Sequence, residues 1–332
     1  MRAVLCRELR GLDALELADL PTPEPGACGV RIRVRAAGVN FADSLMLAGR
    51  YQEKPPLPFT PGLELAGEIE AVGAGVRGLE VGQRVLAVVT HGAFAEQAVA
   101  RAEDVVVLPD DMDDVTAAGF AIAYGTAHGA LRWRADLHAG ETLVVHGAGG
   151  GVGLTAVECG KAIGAVVIAT ARGDEKLEVA RAHGADHVID SDSPDLKDRI
   201  RALTDGRGAD VVYDPVGGAV FDASLRAIAW EGRIVTIGFA SGQVPQIPAN
   251  LLLVKNCSVH GFYWGSYRKH DPERLRDGFK ELFAWHRRGL IRPLVTQTLP
   301  LARTADAIGL LADRRAIGKV VVTMAPTDAR AG

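Results

Sequence analysis

The sequence predicts an α/β protein in which a doubly wound parallel-sheet domain is set between the two parts of a β-rich domain. Two observations carry most of this. Strand-like and helical stretches alternate from about residue 142 to about residue 261, the signature of repeated βα units and a parallel sheet. The first 120 residues instead hold short strand-like runs separated by glycine turns, and the tail ends in another strand-like run. That tail most economically returns to the first domain. The expected division is therefore 1–120 with 263–332, and 121–262 as an insertion.

In order along the chain, Val30, Ile32 and Val34 alternate with Arg31, Arg33 and Arg35, the period-two pattern of a half-exposed strand. Glu64 to Val72 is apolar and strand-like, and Gly73, Gly75, Gly78 and Gly82 follow as turns. Val85–Val89, Phe94–Val99 and Val105–Leu108 supply further strands. Asp110 to Asp114 open a helical stretch that runs to Leu131. Later strands are expected at Ala185–Ile189, Ala209–Tyr213, Arg233–Ile237 and Ser258–Phe262, with Pro194 in the first turn of an intervening helix. The tail predicts helices over Pro272–Arg288 and Thr304–Ala312 and a strand over Lys319–Thr323.

The most informative stretch is Glu141 to Lys176. Thr142–Val145 is a short β-branched run, as in a strand buried on both faces. Ala148-x-Gly150-x-x-Gly153 follows, a variant of the G-x-G-x-x-G turn with alanine in first place. Small residues there let the backbone approach a pyrophosphate and let the next helix pack close, with its positive end toward the phosphates. Gly150, Gly151 and Val152 are the expected backbone donors. The second strand then decides the nucleotide. An NAD site needs an acid at its end for the ribose 2′-hydroxyl. This chain reads Ala171-Arg172-Gly173, with Lys176 a helical turn on. Arg172 and Lys176 would attract a 2′-phosphate, the arginine through its planar fork. NADPH is the expected cofactor.

Composition excludes other classes. Hydrophobic residues at 48%, charged residues at 23% and a net charge of −4 describe a globular chain with no polyanion-binding signature, so no nucleic-acid partner is expected. No apolar run approaches a membrane span, and the charged start, MRAVLCREL, reads as neither signal peptide nor anchor. Cys6, Cys28, Cys159 and Cys257 are scattered without paired spacing, which suits a reduced, cytoplasmic setting. No Ser-His-Asp spacing argues for hydrolysis.

Taken together, several motifs resemble the zinc-free quinone oxidoreductases (zeta-crystallin-like) of the medium-chain dehydrogenase/reductase superfamily. They are Ala36-Ala37-Gly38-Val39-Asn40-Phe41-Ala42-Asp43, Pro61-Gly62-Leu63-Glu64-x-Ala66-Gly67, His146-Gly147-Ala148-Gly149-Gly150-Gly151-Val152-Gly153, Asp214-Pro215-Val216-Gly217-Gly218, Gly238-Phe239-Ala240 and Gly318-Lys319-Val320-Val321. The resemblance spans nearly the whole chain. It implies a GroES-like catalytic domain, a Rossmann domain, NADPH and commonly a homodimer. Zinc-dependent relatives carry cysteine where Asn40 stands and histidine where Leu63 stands, and a four-cysteine lobe near positions 90 to 110 that this chain lacks. An amide and an aliphatic side chain cannot replace thiolate and imidazole, so no metal is expected, and Glu64 reads as a structural partner to polar groups.

Without a metal to polarise the acceptor, a hydrogen-bond donor or the acceptor's own electronics must suffice. A quinone or enone spreads the charge itself, so the expected reaction is hydride transfer from NADPH to quinones or related α,β-unsaturated carbonyls. Enoyl-thioester reduction is the alternative on the same scaffold. A non-catalytic NADPH-binding protein with a structural or RNA-binding role is the alternative of another class. By resemblance Asn40 lies near the nicotinamide ribose or the substrate, against a plain turn-forming role, and Tyr51 is a proton donor or oxyanion partner, against merely covering the nicotinamide. Val216, Gly217, Gly238, Phe239 and Ala240 should lie along the cofactor, at the strand ends where open α/β sheets bind ligands. Phe262, Tyr263 and Trp264 are either cofactor contacts or packing. Thr126 is a further expected contact. Ser191 stands where relatives often have tyrosine or histidine. Lys319 reaches the cofactor or is a strand-edge lysine.

Overall fold

The structure, a computed structural model, describes residues 1–324. It divides into two compact units, Met1–Ile122 with the described residues from Pro293 to Met324, and Ala123–Arg292.

The first unit begins with an antiparallel pair, β1 (Arg2–Cys6) and β2 (Leu15–Asp19). Next come β3 (Gly29–Gly38), α1 (Phe41–Leu47), β4 (Glu64–Val72), β5 (Arg84–Val88), β6 (Gln97–Arg101), β7 (Val105–Val107) and α2 (Asp114–Ala118). The β3 arginines are half-buried as the alternation predicts, and Arg31 and Arg33 both pair with Glu70 on β4. The expected helix from Asp110 to Leu131 is broken. Asp113 caps α2 by accepting the Thr116 N–H at 2.9 Å, Gly119 ends it, and α3 (Ala121–Gly129) starts afresh and runs into a π-helical stretch, Ala130–Arg134. Near the C-terminus, β14 (Val295–Pro300), α11 (Thr304–Ala312) and β15 (Lys319–Thr323) rejoin this unit. The sheet order is β14-β15-β3-β4-β5-β7, with β6 also on β3. Val30, Ile32, Leu65, Ile69, Phe94, Ile308 and Val320 are among its buried core.

The second unit carries β8 (Thr142–His146), α4 (Gly151–Ile163), β9 (Val166–Ala171), α5 (Asp174–Ala182), β10 (His187–Asp190), α6 (Leu196–Ala202), β11 (Ala209–Asp214), α7 (Ala219–Ala227), β12 (Ile228–Thr236), α8 (Ala249–Lys255), β13 (Ser258–Gly261), α9 (Tyr267–His270) and α10 (Pro272–Arg287). Its six strands are all parallel in the order β10-β9-β8-β11-β12-β13, the Rossmann arrangement, with β8 buried at every residue. Order reverses beside β8, the switch point at which such sheets bind ligands.

Two further expectations need correction. Residues 263–292 belong with the second unit, not with the first as the reading of the tail had it. The reason is the apolar face of α10. Phe279 meets Trp264 edge-on at 6.2 Å, Gly278 sits against Trp133 and His128, and Glu281 hydrogen-bonds His128 at 2.7 Å. Pro194 precedes the helix rather than entering it, since Asp195 is the cap of α6.

Candidate functional site

In the second unit the β8–α4 connection is shaped by close approach. Gly147 takes a positive φ of 62°, which favours glycine. Ala148 is buried, and its N–H donates to Thr170 O on β9 at 3.0 Å, holding the turn down on the sheet. Gly153 admits no side chain, because a Cβ there would stand 2.1 Å from Gly147 O. A Cβ at Gly150 would meet nothing nearer than Gly147 O at 3.5 Å. That opening, together with the first-turn N–H groups of Gly151 and Val152, which have no intrahelical acceptors, suits a pyrophosphate. His146, fully buried at the end of β8, hydrogen-bonds Thr170 Oγ1 at 2.7 Å and Ser224 Oγ at 2.6 Å, and burial lowers its pKa. It braces the strand ends as a neutral imidazole.

At the end of β9, Ala171 is buried and Arg172 turns to solvent. The Lys176 stem lies over the glycine turn, so close that a Cβ on Gly149 would be 2.5 Å from Lys176 Cβ. The two basic residues and the turn therefore share one corner. Ser191 joins it through its N–H, bonded to Ala171 O at 2.9 Å. Sequence reasoning missed Asp192, whose carboxylate accepts from Arg172 Nε at 2.7 Å and Nη2 at 2.8 Å. No local spacing could have found it, since it is the parallel pairing of Asp190 with Ala171 that sets the residues after β10 beside those after β9.

At the end of β11, Asp214 is fully buried and its Oδ1 accepts from Val216 N at 2.8 Å and Gly217 N at 2.9 Å. Ala240 N and Ser241 N donate to Pro215 O and Val216 O, so the stretch after β12, with Gly238 and Phe239, is laced to that loop. Past β13 the side chains alternate. Tyr263 is exposed, whereas Phe262 and Trp264 turn inward. Phe262 packs on Trp133 and Tyr267, and Trp264 fills the space over Gly125, where a Cβ would be 2.5 Å from its ring. The Phe262 and Trp264 side chains thus pack against Trp133, Tyr267 and Gly125, while Tyr263 stays accessible. Thr126 is buried on α3.

In the first unit the sheet register builds a polar cluster. β15 pairs antiparallel with β3, Val321 opposite Gly38, which carries Lys319 opposite Asn40; β4 sets Glu64 opposite Gly38. Lys319 is only 6% exposed, so it is no strand-edge lysine. Its Nζ donates to Glu64 Oε1 at 2.8 Å, Asn40 Oδ1 at 2.8 Å and Val39 O at 2.9 Å. Asn40 Nδ2 donates to Glu64 Oε1 at 2.8 Å, and Ile122 N to Glu64 Oε2 at 2.8 Å. Asn40 is therefore locked in one amide orientation. Asp43, fully buried, accepts from Asn40 N at 2.8 Å. Burial pushes its carboxyl up to about 7, although the Asn40 and Gly62 N–H groups and the Lys319 charge pull the other way. Leu63 lies in the apolar core, and no three His, Cys, Asp or Glu side chains group as metal ligands among the described residues. Tyr51 is half-buried against the same core. None of the described helices is long and apolar enough to cross a membrane.

Two family models match, one described as "Alcohol dehydrogenase GroES-like domain" over residues 26–110 and one as "Zinc-binding dehydrogenase" over residues 151–283. The chain is 41% identical to a quinone oxidoreductase-like protein 2 homolog from Nematostella vectensis, over 97% of this chain and 88% of that protein. It is 40% identical to a quinone oxidoreductase from Pseudomonas aeruginosa, over 94% of this chain and 96% of that one. Among solved structures, the Escherichia coli quinone oxidoreductase complexed with NADPH superposes with a TM-score of 0.91 at 29% identity, covering 97% of this chain and 100% of that one.

Proposed function

The chain belongs to the quinone oxidoreductase (zeta-crystallin-like) family of the medium-chain dehydrogenase/reductase superfamily, and from that premise we propose how its residues divide the work. The protein is an NADPH-dependent oxidoreductase that passes hydride to quinones or related α,β-unsaturated carbonyls without zinc. The observation that carries the cofactor assignment is the corner after β9, where Arg172 and the Lys176 stem stand beside the glycine turn and no acid ends the strand.

Bound NADPH supplies the hydride. In this reading Gly150, Gly151 and Val152 donate backbone N–H groups to the pyrophosphate. Arg172, Lys176 and the Ser191 hydroxyl hold the 2′-phosphate. The loops carrying Val216, Gly217, Gly238, Phe239 and Ala240 flank the rest of the dinucleotide, with Tyr263 and Thr126, while Phe262 and Trp264 support from behind. With an enone or enoyl acceptor, Tyr51 donates its phenolic hydrogen to the carbonyl oxygen or protonates the enolate carbon, whereas a quinone spreads the charge itself and needs that donor little. Asn40 orients the reacting end, and Lys319 acts through Asn40 rather than on the cofactor. An amide at Asn40, an aliphatic at Leu63 and a carboxylate already engaged by Lys319 are a poor donor set for Zn²⁺. The acceptor must therefore delocalise its own developing charge, as quinones and enones do.

Exposed apolar side chains at Trp230, Val244, Leu253 and Val254 support pairing with a second copy, and the free cysteines support a reducing, cytoplasmic setting. The test is NADPH oxidation with 1,4-benzoquinone or 9,10-phenanthrenequinone, in parallel with crotonyl-CoA, each repeated with NADH. Turnover of the quinones with preference for NADPH is expected. Turnover of the thioester alone would install the enoyl reductase instead. Arg172→Glu should weaken NADPH at least about tenfold and spare NADH; equal weakening of both would remove Arg172 from the 2′-phosphate site.

A further inference from the structure

Arg172 already has a partner. Asp192 holds its guanidinium with both oxygens, at 2.7 and 2.8 Å. We infer that Asp192 sets the degree of cofactor discrimination, by competing with the 2′-phosphate of NADPH for Arg172. The inference rests on the NADPH assignment above and asks what tunes it.

The local charge count shows why competition matters. Two acids act on the Arg172 charge, Asp190 at the end of β10 and Asp192 just after it, and Asp174 and Glu175 open α5 beside it in the chain. Asp192 is placed by its own N–H, which donates to Asp190 Oδ1 at 2.9 Å. A 2′-phosphate brings nearly two negative charges and needs the guanidinium fork that Asp192 occupies. The pair is exposed, with side chains 62% and 56% accessible, so it is weak enough to exchange. After exchange the Asp192 carboxylate remains beside a like-charged phosphate. With NADH no exchange is needed, and Asp192 is then a carboxylate able to accept from a 2′-hydroxyl, a role that β9 itself leaves unfilled. Asp192 thus favours NADH and works against NADPH at one position.

The experiment is calorimetric titration of the full chain with 2′,5′-ADP and with ADP, so that only the 2′-phosphate differs. Asp192→Asn should tighten 2′,5′-ADP by about 3- to 10-fold at low salt, lose most of that gain at high salt, and leave ADP unchanged or weaker. The gain should vanish in Arg172→Ala/Asp192→Asn, because it is routed through Arg172. Unchanged or weaker 2′,5′-ADP binding in Asp192→Asn would overturn the inference, as would a gain that survives loss of Arg172. The two readings fail differently. If wild type prefers 2′,5′-ADP and Arg172→Glu abolishes the preference while Asp192→Asn changes nothing, only the inference falls. If wild type shows no preference and Arg172→Glu changes nothing, the NADPH assignment falls and the inference with it.

Discussion

Lys319→Met tests the buried cluster of the first unit by removing one charge and little volume. The lysine stem packs beside Gly119, where a Cβ would come within 3.2 Å of Lys319 Cβ, and methionine can fill the same channel. What disappears is the ammonium and its three bonds, to Glu64, Asn40 and Val39. Glu64 has no exposed surface, so its carboxylate would be left buried without the cation that compensates it. Breaking such a pair costs about 3–5 kcal/mol. In a unit of this size that is a fall in Tm of about 6–20 °C. The double variant Glu64→Gln/Lys319→Met removes both charges, and should recover most of the loss, because desolvation of the ions largely offsets their attraction. Urea unfolding of wild type, both single variants and the double variant gives the coupling energy directly. A loss below about 1 kcal/mol in Lys319→Met, or a double variant no better than that single, would refute the reasoning.

Other expectations follow from the same geometry. Gly153→Ala should force α4 away from the turn, since the new Cβ would press on the Gly147 carbonyl; it should cost about 1–3 kcal/mol and weaken NADPH binding in fluorescence titration. Gly150→Ala, with room for its Cβ, should unfold like wild type, whereas wild-type stability in Gly153→Ala would contradict the close-packed turn. Asp43, at 3.8 when unfolded and about 7 when folded, favours the protonated native state. Its contribution is therefore present below about pH 4 and lost as pH rises through about 7, about 4 kcal/mol across the full shift. Asp43→Asn should flatten that segment of a stability-against-pH curve; an unchanged slope would argue against Asp43 titrating there. Tyr51→Phe should lower turnover of an enone or enoyl substrate by about 100-fold or more while hardly affecting quinones. Equal, small effects on both would remove Tyr51 from the chemistry.

What could be read along the chain was whatever depends on local spacing. The apolar run Thr142–Val145, the small residues from Ala148 to Gly153 and the basic pair Arg172 and Lys176 lie within thirty-five residues, and the structure folds them as strand, turn, helix, strand and basic corner. Glu64–Val72, Thr304–Ala312 and Lys319–Thr323 are strand, helix and strand as their patterns predict. Other elements carried weaker signals. β1 and β2 are short and edge-like, and α1 has only seven residues, too few to show a full apolar stripe.

Tertiary structure alone decided the partners. Asn40, Glu64 and Lys319 are separated by as many as 279 residues, and only the register of β15 on β3 and of β4 on β3 brings an ammonium to a buried carboxylate. Asp192 reaches Arg172 across twenty residues because β10 lies parallel to β9, so a basic corner inferred from one strand end acquires an acid from the next. Which of Phe262, Tyr263 and Trp264 faces solvent depended on what α10 and Trp133 cover, and α10 joined the second unit for the same reason. Sequence determines composition, periodicity and turn chemistry because these act between near neighbours. Charge compensation and burial depend on groups that meet only after the sheets have formed.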